Sequence, residues 1–157
     1  MAYRYRLETV LRVRETLEEQ AKLKLAREIA VLERHRLRLR ELEDERVNLL
    51  RNIEEKKRGV VPAPLFVFLA DSVRMKDGQI EFQRNAIEVQ NRLVEQARQA
   101  LAERMKSRKI ITRMREKDFM EYLKTERHRQ QVEADEMAVI RFGHRAGSLM
   151  GETGEAA

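Results

Sequence analysis

Apolar residues recur along most of the chain at steps of three, four and seven, the spacing of one face of an α-helix. In the first third that face runs Leu7, Val10, Leu11, Leu17, Ala21, Leu25, Ile29, Leu32, Leu39, Leu42, Leu49 and Ile53. Counting by sevens from residue 11 gives Leu11, Glu18, Leu25, Leu32, Leu39, Arg46 and Ile53, so the heptad is kept and twice carries a charge. A charged seam position can set register, as a polar core residue does in some coiled coils. The simpler expectation for Glu18 and Arg46 is that they lie at the seam's edge with their charged ends in water. A second face begins at Ile80 and continues through Ile87, Val94, Ala97, Leu101, Met105, Ile111, Met114, Phe119 and Leu123.

Between the two faces stands Gly59-Val60-Val61-Pro62-Ala63-Pro64, where a glycine and two prolines stop a helix. Two long helices joined by one short break fold back on each other. The pattern therefore predicts an all-α protein, a long two-helix antiparallel coiled-coil hairpin. Its first helix is expected over about residues 6–58, the turn over about 59–64 and the second helix over about 65–141. The second helix has an alternative start after Asp71-Ser72, acting as an N-cap. Gly78 weakens the earlier start by about 1 kcal/mol relative to alanine without forbidding it. At 1.5 Å per residue the second helix is about 110 Å long and the first about 75 Å, so the section from Glu126 to Arg141 should project past its partner. The hairpin is expected to occupy residues 1–142, and the glycine-bearing residues 143–157 to form a flexible tail.

Composition agrees with a long helix. Of 157 residues, 38% are charged and only 5% aromatic, with no Trp and no Cys, which suits a narrow buried seam better than a thick core. The lack of cysteine excludes disulfides and thiolate metal sites and fits a reducing compartment. Met-Ala-Tyr-Arg-Tyr-Arg has no apolar segment behind it, so no signal peptide is read there. The apolar run from Val60 to Ala70 is far shorter than the roughly 20 residues needed to span a bilayer. A soluble, cytoplasmic protein that does not span a membrane is expected.

A net charge of +6 raises the question of nucleic acid. Through Arg58 there are 16 basic and 12 acidic residues, leaving 17 and 15 of the total 33 and 27 for the remainder, so the excess is thin and even. Arg34, Arg36, Arg38 and Arg40 fan around a helix at about 100° per residue instead of lining one side. No nucleic-acid partner is expected. Catalysis requires groups converging in a concave site, and His35, His128 and His144 are scattered, with no phosphate-binding glycine loop. Glu133, Asp135 and Glu136 read as a solvated acidic group. No enzyme, cofactor or metal site is expected. The apolar cluster Leu65-Phe66-Val67-Phe68-Leu69 at the turn either closes the bundle end or forms a docking surface.

The two ends of the sequence carry a family resemblance. The opening Tyr3-Arg4-Tyr5-Arg6-Leu7, followed by Val10-Leu11, Arg14, Glu18-Glu19, Ala21 and Leu25-Ala26, resembles the start of flagellar export proteins of the FliJ family. Glu126-Arg127 and then Asp135-Glu136-x-Ala138-x-x-Arg141 resemble that family's C-terminal pattern. Tyr stands at both leading aromatic positions where the family usually has Phe, and Pro62 and Pro64 occupy a region that varies in the family.

The resemblance implies a soluble component of the bacterial flagellar type III protein export apparatus, involved in flagellum biogenesis and motility. It implies a coiled coil similar to the stalk subunit of rotary ATPases, which binds and regulates the export ATPase hexamer, contacts the export-gate membrane protein and escorts substrate-specific chaperones. It also implies peripheral association with the cytoplasmic face of the inner membrane at the flagellar base. On this resemblance the ATPase-ring contact falls on Tyr3, Tyr5, Leu7, Leu11, Arg14, Asp135, Glu136 and Arg141, and the export-gate contact on Phe66, Phe68, Leu69 and Val73. The equivalent stalk of a virulence type III secretion system, and a generic coiled-coil adaptor or chaperone, are the alternatives.

Overall fold

The computed structural model describes the backbone of residues 3–151 and the side chains of residues 3–144. Two helices account for nearly all of it: α1 (Glu8–Lys56, 49 residues) and α2 (Ala63–Gly151, 89 residues). They run antiparallel as a coiled-coil hairpin, and no strand occurs among the described residues.

The turn works differently from the expected glycine stop. Gly59 has no positive φ, and after a last regular bond from Lys57 N–H to Ile53 O at 3.0 Å, α1 ends through tightening bonds from Arg58 N–H to Glu55 O at 3.3 Å and from Gly59 N–H to Lys56 O at 3.1 Å. Lys56, Lys57 and Arg58 place positive charge at the helix C-terminus, where it meets the partial negative charge of the free carbonyls. The prolines begin α2 instead of ending α1. Pro62 O accepts from Leu65 N–H at 3.0 Å and from Phe66 N–H at 3.2 Å, and Pro64 sits in the first turn, where an N–H has no helical partner to lose. Asp71-Ser72 is therefore no N-cap. Ser72 lies inside α2 and its Oγ donates to Phe68 O at 2.8 Å.

At its far end α2 runs on to Gly151, past the end expected near Arg141. Residues 143–151, which the sequence places in a flexible tail, are helical, and residues 152–157 lie outside the described residues. Gly143, Gly147 and Gly151 each disfavour helix by only about 1 kcal/mol relative to alanine. The good helix formers between them carry the pattern through.

By its contacts the chain forms two units, Val13–Arg108 and the N-terminal residues through Arg12 together with those from Lys109 onward. In the unit Val13–Arg108 the heptad of α1 has two columns. The first is the charged-and-leucine series already described. The second, offset by three, reads Arg14, Ala21, Glu28, His35, Leu42 and Leu49 within this unit. Leu32 and Leu42 are buried from α1, and Leu69, Ile80, Val94 and Ala97 from α2. Each large one contributes about 1.5–3 kcal/mol from burial, which drives the pairing.

The polar seam positions are all matched across the helices. Arg14 Nη1 donates to Ser107 O at 2.8 Å, and Arg108 Nε donates to Glu18. Gln90 Nε2 donates to Glu28 Oε2 at 2.6 Å and to Glu28 O at 3.0 Å. Gln83 Nε2 donates to His35 O at 3.0 Å and lies 2.8 Å from His35 Nδ1, while Arg46 Nε donates to Asp77. The edge reading of Glu18 is corrected here: it is only 4% exposed, held by Arg108 and by Lys22 at 3.1 Å. Arg46 keeps a wet side chain while pairing across the seam. Among the described residues no buried side-chain nitrogen or oxygen lacks a partner. A matched hydrogen bond gains about 1 kcal/mol, whereas an unmatched buried group costs about 1–3 kcal/mol. Sliding one helix by a heptad would break every match at once. Apolar burial pairs the helices, and the polar layers select the register.

In the other unit Tyr5, Leu11 and Ile111 are buried together, with Tyr3 and Leu7 packed against them. From Arg127 to His144 every side chain is exposed.

Candidate partner-binding surfaces

At the terminal end the aromatic opening is part of the core. The Tyr3 ring meets Phe119 edge-on at 5.0 Å and Tyr122 at 5.3 Å, worth about 0.5–1.5 kcal/mol per pair beyond area alone. Its hydroxyl donates to Asp118 Oδ2 at 2.9 Å. Desolvation first, and then the Asp118 carboxylate, push the Tyr3 phenol up to about 12. Tyr5 Oη donates to Ile111 O at 3.4 Å, and Leu11 is 2% exposed. Tyr5, Leu7 and Leu11 thus hold the two helices together, and Arg14, bound to the Ser107 carbonyl, does the same in its own unit. Beside Tyr3 a groove is lined by Arg4, Arg12, Arg115, Glu116 and Phe119.

Asp135, Glu136 and Arg141 stand exposed on α2. Around them are exposed apolar residues that the sequence reading did not single out: Met137, Val139, Ile140 and Phe142. Their signal was available, since a helix longer than its partner leaves its last apolar positions uncovered.

At the turn end the four residues marked by resemblance divide. Phe66 and Phe68 are exposed, Val73 is half-buried and Leu69 is buried in the seam. Val67 joins the exposed pair, and farther along α2 Met75, Phe82 and Val89 are exposed as well. Among the described residues no helix is long and apolar enough to cross a membrane. These surfaces offer apolar side chains and charges to another macromolecule.

The sequence model of the family described as flagellar FliJ protein matches residues 3–147. The chain belongs to the FliJ family. This makes it a FliJ-family protein associated with type III export. A solved structure of CT670 from Chlamydia trachomatis, a proposed YscO homologue, superposes with a TM-score of 0.66 over 93% of this chain and 99% of that one, at 21% identity. That likeness is one of fold. No curated protein matches.

Proposed function

We propose that this FliJ-family chain is the stalk of a flagellar type III export apparatus, binding and regulating the export ATPase ring, contacting the export gate and escorting substrate chaperones. The observation that carries the reading is the family match over residues 3–147, joined to a section of α2, residues 127–144, in which every side chain, charged or apolar, is exposed. A single asymmetric helical element in a six-fold ring touches some subunits and not others, and differential contact is what lets it bias their conformations.

On this reading Asp135, Glu136 and Arg141 touch the ring, Tyr3 adds a contact lower on α2 beside Phe119 and Tyr122, and Tyr5, Leu7, Leu11 and Arg14 act by holding the helices together. Phe66 and Phe68 face the gate, with Val73 and the buried Leu69 behind them. The protein works in the cytoplasm at the membrane face of the flagellar base, by contact and without catalysis. The likeness to a proposed YscO homologue keeps a second reading, the equivalent stalk of a virulence secretion system.

The test is co-purification with the export ATPase of the same genome, together with its hydrolysis rate in the presence and absence of this chain. A stable complex with altered hydrolysis is expected. No complex and an unchanged rate would overturn the stalk reading and leave a generic adaptor. Loss of motility, as against loss of effector secretion, on deleting the gene separates the two export machines.

A further inference from the structure

One column of apolar side chains on α2 lies outside the two-helix seam. Phe68, Met75, Phe82 and Val89 follow one another at intervals of seven and are 67, 64, 74 and 57% exposed. At the intervening steps stand Ser72, Gln79, Ala86 and Leu93. This 3.5-residue period is what a second helix matches in a coiled coil. Alongside runs α1: Arg38 and Leu42 line a groove with Met75, Gly78 and Phe82, and Lys76 reaches Glu45 at 2.6 Å. On this wall α1 carries Arg34, Arg38, Glu41 and Glu45, two cations followed by two anions at steps of four, three and four.

Both patterns are complementary to themselves when reversed. Laid antiparallel so that Gln79 faces Phe82 of a second copy, α2 sets Met75 against Ala86, Ser72 against Val89 and Phe68 against Leu93. Large side chains then meet smaller ones, and Asp71 comes near Arg92. Reversal of α1 about the midpoint of Arg38 and Glu41 sets Arg38 against Glu41 and Arg34 against Glu45, so that the pairs Arg38 already makes along its own helix with Glu41 at 2.9 Å and Glu45 at 3.5 Å are shared with the second copy. The two midpoints lie at one height. His35 meets Gln83 and Glu45 meets Lys76 across the seam, which puts the middle of the Arg38–Glu41 pair beside residues 79–82. One two-fold axis therefore satisfies both helices.

We propose that this face is a self-association surface on which a second copy of the chain docks antiparallel, α2 on α2 and α1 on α1, about an axis passing between Gln79 and Phe82. With aromatic side chains offering 150–250 Å² each, the exposed column supplies on the order of 500 Å² per copy. That is about 1,000 Å² for the pair, the lower bound for a specific interface. An interface at that lower bound belongs to the weak, reversible class. The inference does not rest on the stalk reading, and its test uses this chain alone.

The experiment is sedimentation equilibrium of the full chain from about 5 to about 500 µM, the range in which an interface of this size equilibrates. A monomer–dimer equilibrium is expected, weakened roughly 30-fold or more by Phe82→Lys, a change at the centre of the interface. Helicity should be unaltered, because Phe82 touches little in the single chain. The chain has no cysteine, so introduced thiols report orientation. Met75→Cys mixed with Ala86→Cys should oxidise to a cross-linked pair, whereas Met75→Cys alone should not. A chain that stays monomeric throughout, a dimer indifferent to Phe82→Lys, or a Met75→Cys chain that links to itself as a parallel pair would each overturn the proposal. So would a monomeric chain whose Phe82 column proves to bind a different helical protein.

Discussion

Glu18 is a carboxylate inside a leucine seam, and Arg108, ninety residues away on the other helix, reaches in to hold it. Lys22 closes on the same carboxylate from one turn along α1. Removing Arg108 leaves the buried Glu18 carboxylate with Lys22 alone, and removing Glu18 costs Arg108 its buried anion, whereas replacing both with apolar groups removes the desolvation cost as well. Glu18→Ala should lower the melting temperature by several degrees, and Glu18→Leu with Arg108→Leu should restore it or raise it. A double-mutant cycle followed by circular dichroism reads the coupling; additive effects would show that the two side chains do not support each other.

The same pair makes stability depend on acid. Hydrogen bonding from Arg108, then from Lys22, holds the Glu18 carboxyl below its usual range against the opposing effect of desolvation. Lys76 chiefly, with Arg38, does the same for Glu45. Groups whose folded value is lowered stabilise the fold fully above the unfolded carboxylate value of about 4.3 and lose that contribution as pH falls through the folded value. The melting temperature should therefore fall on acidification below about pH 5. Glu18→Gln with Glu45→Gln should flatten that fall, and an unchanged slope would remove these two groups as its cause.

Gly78 sits in the middle of α2, and a Cβ placed there would meet nothing within 4 Å. Its φ is helical, so alanine fits without strain. Gly78→Ala should stabilise the protein by about 0.5–1 kcal/mol through the lower conformational entropy of the unfolded chain. Urea unfolding measures it, and a loss of stability would mean that the free space beside Gly78 is used.

The helices were legible because their apolar positions repeat every seven residues over a long stretch, and the prolines marked the turn. The polar members of the second column of α1 were not. Arg14, Glu28 and His35 are polar, and only their partners Ser107, Gln90 and Gln83, distant in sequence, reveal them as seam residues. Beyond Phe68, the exposed column of α2 was hidden for a related reason. Phe68, Met75, Phe82 and Val89 each precede a seam residue by one place, and apolar spacing alone does not say which of two adjacent columns α1 will cover. Of the residues chosen by resemblance, Tyr5 and Leu11 proved to be core, since aromatic and leucine side chains near a helix start serve burial and contact equally well.

Tyr3 gives a direct spectroscopic check of the terminal packing. Its phenol is pushed up to about 12, by desolvation and then by Asp118, so the neutral form is favoured in the folded state. That contribution is complete below the ordinary tyrosine value of about 10 and is lost as pH rises toward the folded one. A titration of phenolate absorbance should show one of the three tyrosines ionising about two units late, and Tyr3→Phe should remove that step. A normal Tyr3 titration would place its ring away from Asp118.

Arg14 and Arg141 separate structure from contact at the terminal end. Arg14 spends its guanidinium on the Ser107 carbonyl, so Arg14→Glu should lower the melting temperature and blur any effect on a partner. Arg141 is exposed, and on the proposed stalk role Arg141→Glu should leave folding unchanged while weakening ATPase binding roughly three- to ten-fold, the size of a contact at an interface rim. At the turn end Phe68→Asp should likewise keep full helicity, because the side chain is 67% exposed, and should weaken capture of the gate protein while leaving ATPase stimulation intact. Equal loss at both partners from either substitution would mean that the two ends do not serve different neighbours. Unchanged gate binding by Phe68→Asp would move that contact away from the start of α2.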